Sequence, residues 1–155
     1  MNIKLKSIIY LLVTIIIVTF IFYNSIQNGE SSSNASTAVL NFINDFLANV
    51  GISFKFSGHF IRKLAHFVEF FILGIFLMLT FSSFTNKIFS IIGFPMFFST
   101  FIPVIDEYIQ IYSPGRVSSV KDVLLDFFGA IIGIILVCIC LIIKNKNKFK
   151  NKYKF

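Results

Sequence analysis

Residues 62–84 read RKLAHFVEFFILGIFLMLTFSSF, a long apolar stretch that opens on a cluster of ionisable side chains. Its length is close to the ~20 residues that carry a helix across the hydrocarbon core of a bilayer. Lipid offers backbone amides no partner outside the segment, so a run of this kind is expected to be helical. Arg62, His66 and Glu69 are spaced i, i+4, i+7 and share one helix face, with Lys63 alongside. An ionised Glu69 turned towards lipid would cost about 2.5–3.5 kcal/mol near the bilayer centre and less towards the interface. Glu69 is therefore expected to face the inside of a bundle and to pair with a base.

Three more apolar blocks flank this one, at about 8–23, 88–105 and 123–143, with 64–84 as the second of four. The expectation is an all-α, polytopic membrane protein: one domain over 1–155 with four transmembrane helices. Composition agrees, since 56 % of the 155 residues are hydrophobic and 14 % charged, against about 25 % charged in soluble domains. The first block follows Lys4 and Lys6 and resembles a signal peptide in outline. Asn24-Ser25-Ile26-Gln27-Asn28-Gly29 follows it without an A-x-A-like site, so it reads as a retained anchor.

The formal charge of +7 does not indicate a nucleic-acid partner. Lys144, Lys146, Lys148, Lys150, Lys152 and Lys154 form a tail over 144–155 beyond an apolar run, with no folded basic domain. Such a tail fixes orientation and touches anionic lipid. With four spans, the tail, Lys4, Lys6 and Lys87 share one side, nine basic residues in all. Lys55, Arg62, Lys63, Arg116 and Lys121 lie opposite, together with all seven acids. The N- and C-termini are thus expected to be cytoplasmic, in a multi-pass protein of the cell membrane. Trp is absent, so Tyr10, Tyr23, Tyr108, Tyr112 and Tyr153, near segment ends, would serve as interfacial anchors. Cys138 and Cys140, at i, i+2 within the last block, point to different faces and read as apolar packing residues.

Between blocks one and two, Glu30–Ser36 is small and polar, as in a flexible linker. From about 37 to 50, Val39, Leu40, Ile43, Phe46, Leu47 and Val50 recur at helical spacing. They predict a short amphipathic helix on the extracytoplasmic membrane surface or capping the bundle.

Polar residues also gather at the outward ends of the last two blocks. Asp106 and Glu107 lie within one helical turn of Gln110, and Pro95 and Pro103 are expected to kink the third block near them. Ser113-Pro114-Gly115-Arg116 predicts a tight turn with a positive φ at Gly115, holding Arg116 as a bidentate donor for carboxylate or phosphate. A serine of Ser118-Ser119 can cap the next helix, with Asp122 in its first turn. Asp122, Asp126, Gly129 and Gly133 then fall on one stripe, and the Gly pair invites close helix approach, so the acids should face inward.

In these residues the chain resembles the VanZ-like family, named for a membrane protein associated with glycopeptide (teicoplanin) resistance in bacteria. The resemblance spans about 60–133 and rests on four segments. They are Arg62-Lys63-Leu64-Ala65-His66-Phe67-Val68-Glu69-Phe70, Asp106-Glu107-Tyr108-Ile109-Gln110, Pro114-Gly115-Arg116, and Asp122-Val123-Leu124-Leu125-Asp126 with Gly129-Ala130 and Gly133. Asp126 stands where many members carry Asn and adds one charge. The resemblance implies a cell-envelope role without naming a reaction.

Within that role, Arg62, Lys63, Gln110, Arg116, Asp122 and Asp126 are the candidate ligand-binding residues. His66, Glu69, Asp106 and Glu107 are candidates for moving protons. Membrane lipid, a lipid-linked cell-wall precursor or a glycopeptide would present suitable groups; no cofactor is expected. The residues leave three other readings open. Intramembrane acids serve ion or proton transport; one His among carboxylates would suit Mg²⁺, Mn²⁺ or Ca²⁺; and pairs such as Arg62–Glu69 or Arg116–Asp122 would simply brace helix ends. No nucleophile elbow, P-loop or dinucleotide fingerprint is present.

Overall fold

The computed structural model describes residues 3–85 and 88–152, and these form helices with no strand among them. In chain order the helices are α1 (Ile3–Ile26), α2 (Gly29–Asn49), α3 (Gly58–Ser82), the single turn α4 (Ile88–Ile91), α5 (Gly93–Ile111) and α6 (Val120–Lys152). Lys87, Tyr153 and Lys154 lie outside the described residues.

Among the described residues, three helices are long and apolar enough to cross a membrane: Lys4–Ile26, Gly58–Ser82 and Val120–Lys146. The block at 88–105 differs from expectation. It divides into α4 and a 19-residue α5 that starts at Gly93 and runs on through Asp106, Glu107 and Gln110 to Ile111. Its two prolines and polar last turns keep it out of that apolar class. α1 and α6 extend past both expected ends, and α3 starts six residues earlier than expected but stops at Ser82, two short of 84.

The segment expected to be a flexible linker is also helical. Asn28 caps α2 by accepting a hydrogen bond from the Ser31 amide at 2.7 Å. Ser36 and Thr37 return their hydroxyls to the carbonyls of Ser32 and Ser33. Serines that could compete with a helix are thereby absorbed into it.

α3 is the central helix, packed on α1, α2, α5 and most extensively α6. Phe70, Leu73 and Leu77 of α3 meet Ile21 of α1, Ile102 of α5 and Ala130 of α6. A second cluster joins Met78 to Ile91, Ile134 and Val137. Lipid tails are as apolar as these side chains, so close packing rather than water exclusion must hold the helices together. Glycine permits that closeness. A methyl group on Gly74 would collide with the Ala130 backbone, and one on Gly133 with the Phe71 carbonyl. The outer faces remain apolar: Ile8, Leu12, Ile16 and Phe20 of α1 and Ile132, Ile135 and Ile139 of α6 are all exposed. Polar stitches fix the register, as where the Thr14 and Thr80 hydroxyls meet at 2.9 Å.

Candidate functional site

α1 and α5 end where α3 and α6 begin, and there the ionisable side chains converge. The Ser113–Arg116 turn takes its expected form: Gly115 has φ +75° and the Arg116 amide donates to the Ser113 carbonyl at 3.2 Å. The Gly29 amide binds the Pro114 carbonyl at 2.9 Å, with Gly29 seated against the Gly115 backbone. That contact pins the start of α2 to the turn. Ser119 accepts from the Lys121 amide through its hydroxyl, and so opens α6 as its cap.

The carboxylates sit in distinct settings. Asp106 is fully buried: Ser25 Oγ donates to its Oδ1 and Gln110 Nε2 to its Oδ2 at 2.8 Å. Glu107, also buried, accepts from the Ser119 amide at 2.8 Å. Asp122 forms an ion pair with Lys63 at 2.6 Å, half-exposed at the rim. Asp126 is 1 % exposed, and neither of its oxygens has a partner among the described residues.

Two expectations are corrected here. Glu69 pairs with an amide rather than a base: Asn24 Nδ2 donates to its Oε1 at 2.9 Å, while Oε2 is buried without a partner among the described residues. Among the described residues the ion pair at the helix ends is Lys63–Asp122, not Arg62–Glu69 or Arg116–Asp122. Adjacent positions on a helix point about 100° apart, so Lys63 reaches α6 where Arg62 does not. Arg116 instead spends Nη2 on the Asn24 carbonyl at 2.7 Å and leaves Nε buried and, among the described residues, unpartnered. Burial lowers its pKa, and Asp106, Glu69 and Glu107 pull it back up. The guanidinium stays charged at any physiological pH.

All ten candidate residues thus lie at one end of the bundle. Two cavities adjoin there. A small one of about 120 Å³ is lined by Arg62, Lys63, His66, Glu107, Arg116 and Asp126 among others. A larger one of about 580 Å³ runs between α2 and α3 past Val39, Ile43, Ile61, Leu64 and Val68. Arg62, His66 and Arg116 border both. A ring nitrogen of His66 and one oxygen each of Asp106 and Asp126 lie within 4.8 Å of one another.

The VanZ/LLP1 family model matches residues 8–142. The chain belongs to the VanZ/LLP1 family. The match takes in α1 as well as the later helices, so the VanZ-like unit includes Asn24 and Ser25, two residues that sequence reasoning did not assign to the site. Their only signal was position, as the first polar pair after an apolar block. No curated protein and no solved structure matches the chain.

Proposed function

We propose that this VanZ/LLP1 membrane protein binds an envelope lipid with an anionic phosphate-bearing headgroup, the lipid-linked cell-wall precursors being the class that fits. Family membership suggests a membrane protein linked to glycopeptide resistance, and such a lipid lies on the route that glycopeptides obstruct. In this reading α1, α3, α5 and α6 all span, α2 lies on the outer surface as an amphipathic helix, and both termini are cytoplasmic. The site then faces outward.

One observation carries the proposal: the polar cavity and the largely apolar cleft share Arg62, His66 and Arg116. Phosphate oxygens would meet Arg62, Lys63 and the free edge of Arg116, where charge-assisted bonds are strongest. The lipid tail would lie beneath α2 along Val39, Ile43, Leu64 and Val68. Gln110, Asp122 and Asp126 complete the polar walls. His66, Glu69 and Glu107, which line the two cavities, are the groups that would exchange protons with the headgroup, with Asp106 buried behind them. Teicoplanin susceptibility would change through the supply or exposure of that lipid.

The test is binding by full-length protein in nanodiscs of neutral lipid, titrated with a prenyl pyrophosphate lipid and with its uncharged alcohol. We expect saturable binding of the pyrophosphate form, at least tenfold weaker in Arg116→Lys, because a lysine cannot keep the Asn24 carbonyl and reach the ligand together. Equal affinity for the alcohol, or for wild type and Arg116→Lys, would overturn the reading.

A further inference from the structure

From the arrangement of His66, Asp106 and Asp126 we infer that this end of the bundle holds one divalent transition-metal cation. The inference does not depend on the lipid reading. His66 comes from α3, Asp106 from α5 and Asp126 from α6, and their ligand atoms lie within 4.8 Å of one another. Donors that share a cation at about 2.1 Å stand at most about 4.2 Å apart. A closing of several tenths of an ångström, within the reach of side-chain torsions, completes the set.

Proximity alone would not make a site. The independent observation is Asp126, buried to 1 % exposure with neither oxygen partnered among the described residues. Buried polar atoms are nearly always satisfied, and a carboxylate with two open oxygens is a marked exception. The His66 Nδ1 is likewise buried and unpartnered. Asp106, in contrast, is held in place by Ser25 and Gln110. This is the outer-shell support that orients a metal-binding carboxylate.

An imidazole with two carboxylates selects Mn²⁺ or Zn²⁺ over Ca²⁺, which prefers oxygen alone. The adjoining cavity, bordered by His66 and Asp126, gives an entry path and room for waters to complete the coordination.

The test uses full-length, chelator-washed protein in detergent, with no added envelope lipid, titrated with Mn²⁺ by electron paramagnetic resonance and with Zn²⁺ by elemental analysis. One cation per chain is expected, with affinity reduced at least tenfold in Asp126→Asn and in His66→Gln and unchanged in Asp45→Asn on α2. Wild type supplies a second reading that does not need the variants to fold. Zn²⁺ should shift the imidazole nitrogen resonances of His66 and leave those of His59 in place. Absence of saturable uptake by wild type overturns the site. So does undiminished binding in both Asp126→Asn and His66→Gln, or a Zn²⁺ shift confined to His59. Because no lipid is added, failure here leaves the lipid reading standing, and failure of lipid binding leaves this result intact.

Discussion

Ser25 at the end of α1 gives its hydroxyl hydrogen bond to Asp106 of α5, 81 residues further along the chain. Its carbonyl accepts from Ser113 Oγ at 2.6 Å, so one residue ties the first helix to both the acid and the turn beyond it. Replacing Ser25 with Ala would strand Asp106 Oδ1 in a fully buried position. The expected cost is about 1–3 kcal/mol, the penalty for a buried polar atom left without its partner. Thermal unfolding of purified Ser25→Ala in detergent should show a lowered midpoint. A midpoint equal to that of wild type would mean that the bond contributes nothing.

Ser25 also marks where the sequence stops being readable. The stripe of Asp122, Asp126, Gly129 and Gly133 was legible because helical period alone fixes which residues share a face. His66 and Glu69 followed from the same period and from the cost of charge in lipid. Asn24 and Ser25 were not legible, since a polar pair after an apolar block looks the same whether it touches water or a buried acid. The helix at Glu30–Ser36 was hidden by composition. Its small polar residues suggest a linker, and only the Asn28 cap and the serine back-bonds reveal otherwise. Helix ends and pairings depend on neighbours distant in sequence, and local pattern does not encode those.

Close approach of α3 and α6 yields a second prediction. A methyl group on Gly133 would strike the Phe71 carbonyl and lie 2.9 Å from the Ile75 amide nitrogen, both backbone atoms that no rotamer change can move. Gly133→Ala should therefore destabilise the bundle by about 1–3 kcal/mol, as overpacking does. Gly93→Ala has open space around it and should be neutral or gain up to about 1 kcal/mol. Denaturation in detergent distinguishes the two. Equal effects would show that α3 and α6 do not pack as closely as the Gly133 contact requires.

The Lys63–Asp122 pair should behave differently from the buried acids. Its side chains are 36 % and 29 % exposed, and pairs at such positions contribute about 0.2–1 kcal/mol. A double-mutant cycle with Lys63→Met and Asp122→Asn is expected to return a coupling in that range, shrinking as salt rises. Lys63→Met should nevertheless weaken binding of a pyrophosphate lipid severalfold, because the ammonium borders the polar cavity. A coupling above about 2 kcal/mol would mean that the pair braces the bundle, and unaltered lipid binding would remove Lys63 from the site.

Sidedness decides whether the charged end meets the exterior. Val117, 86 % exposed between α5 and α6, and Phe84, 65 % exposed beyond the other end of α3, flank α5 on the chain. In a variant with Cys138 and Cys140 replaced by Ala, Val117→Cys should react with a membrane-impermeant maleimide in intact cells. Phe84→Cys and Lys146→Cys should react only after lysis. Opposite sides for positions 84 and 117 would establish α5 as a fourth crossing despite its prolines and acids, since the only other helix between them, α4, is a single turn. The basic tail supports this orientation, because lysines beside a span are retained on the cytoplasmic side. Labelling of Phe84→Cys and Val117→Cys from the same side would reduce α5 to a helix that dips into the membrane and returns. Labelling of Lys146→Cys alone in intact cells would invert the protein and turn its cluster of acids towards the cytoplasm.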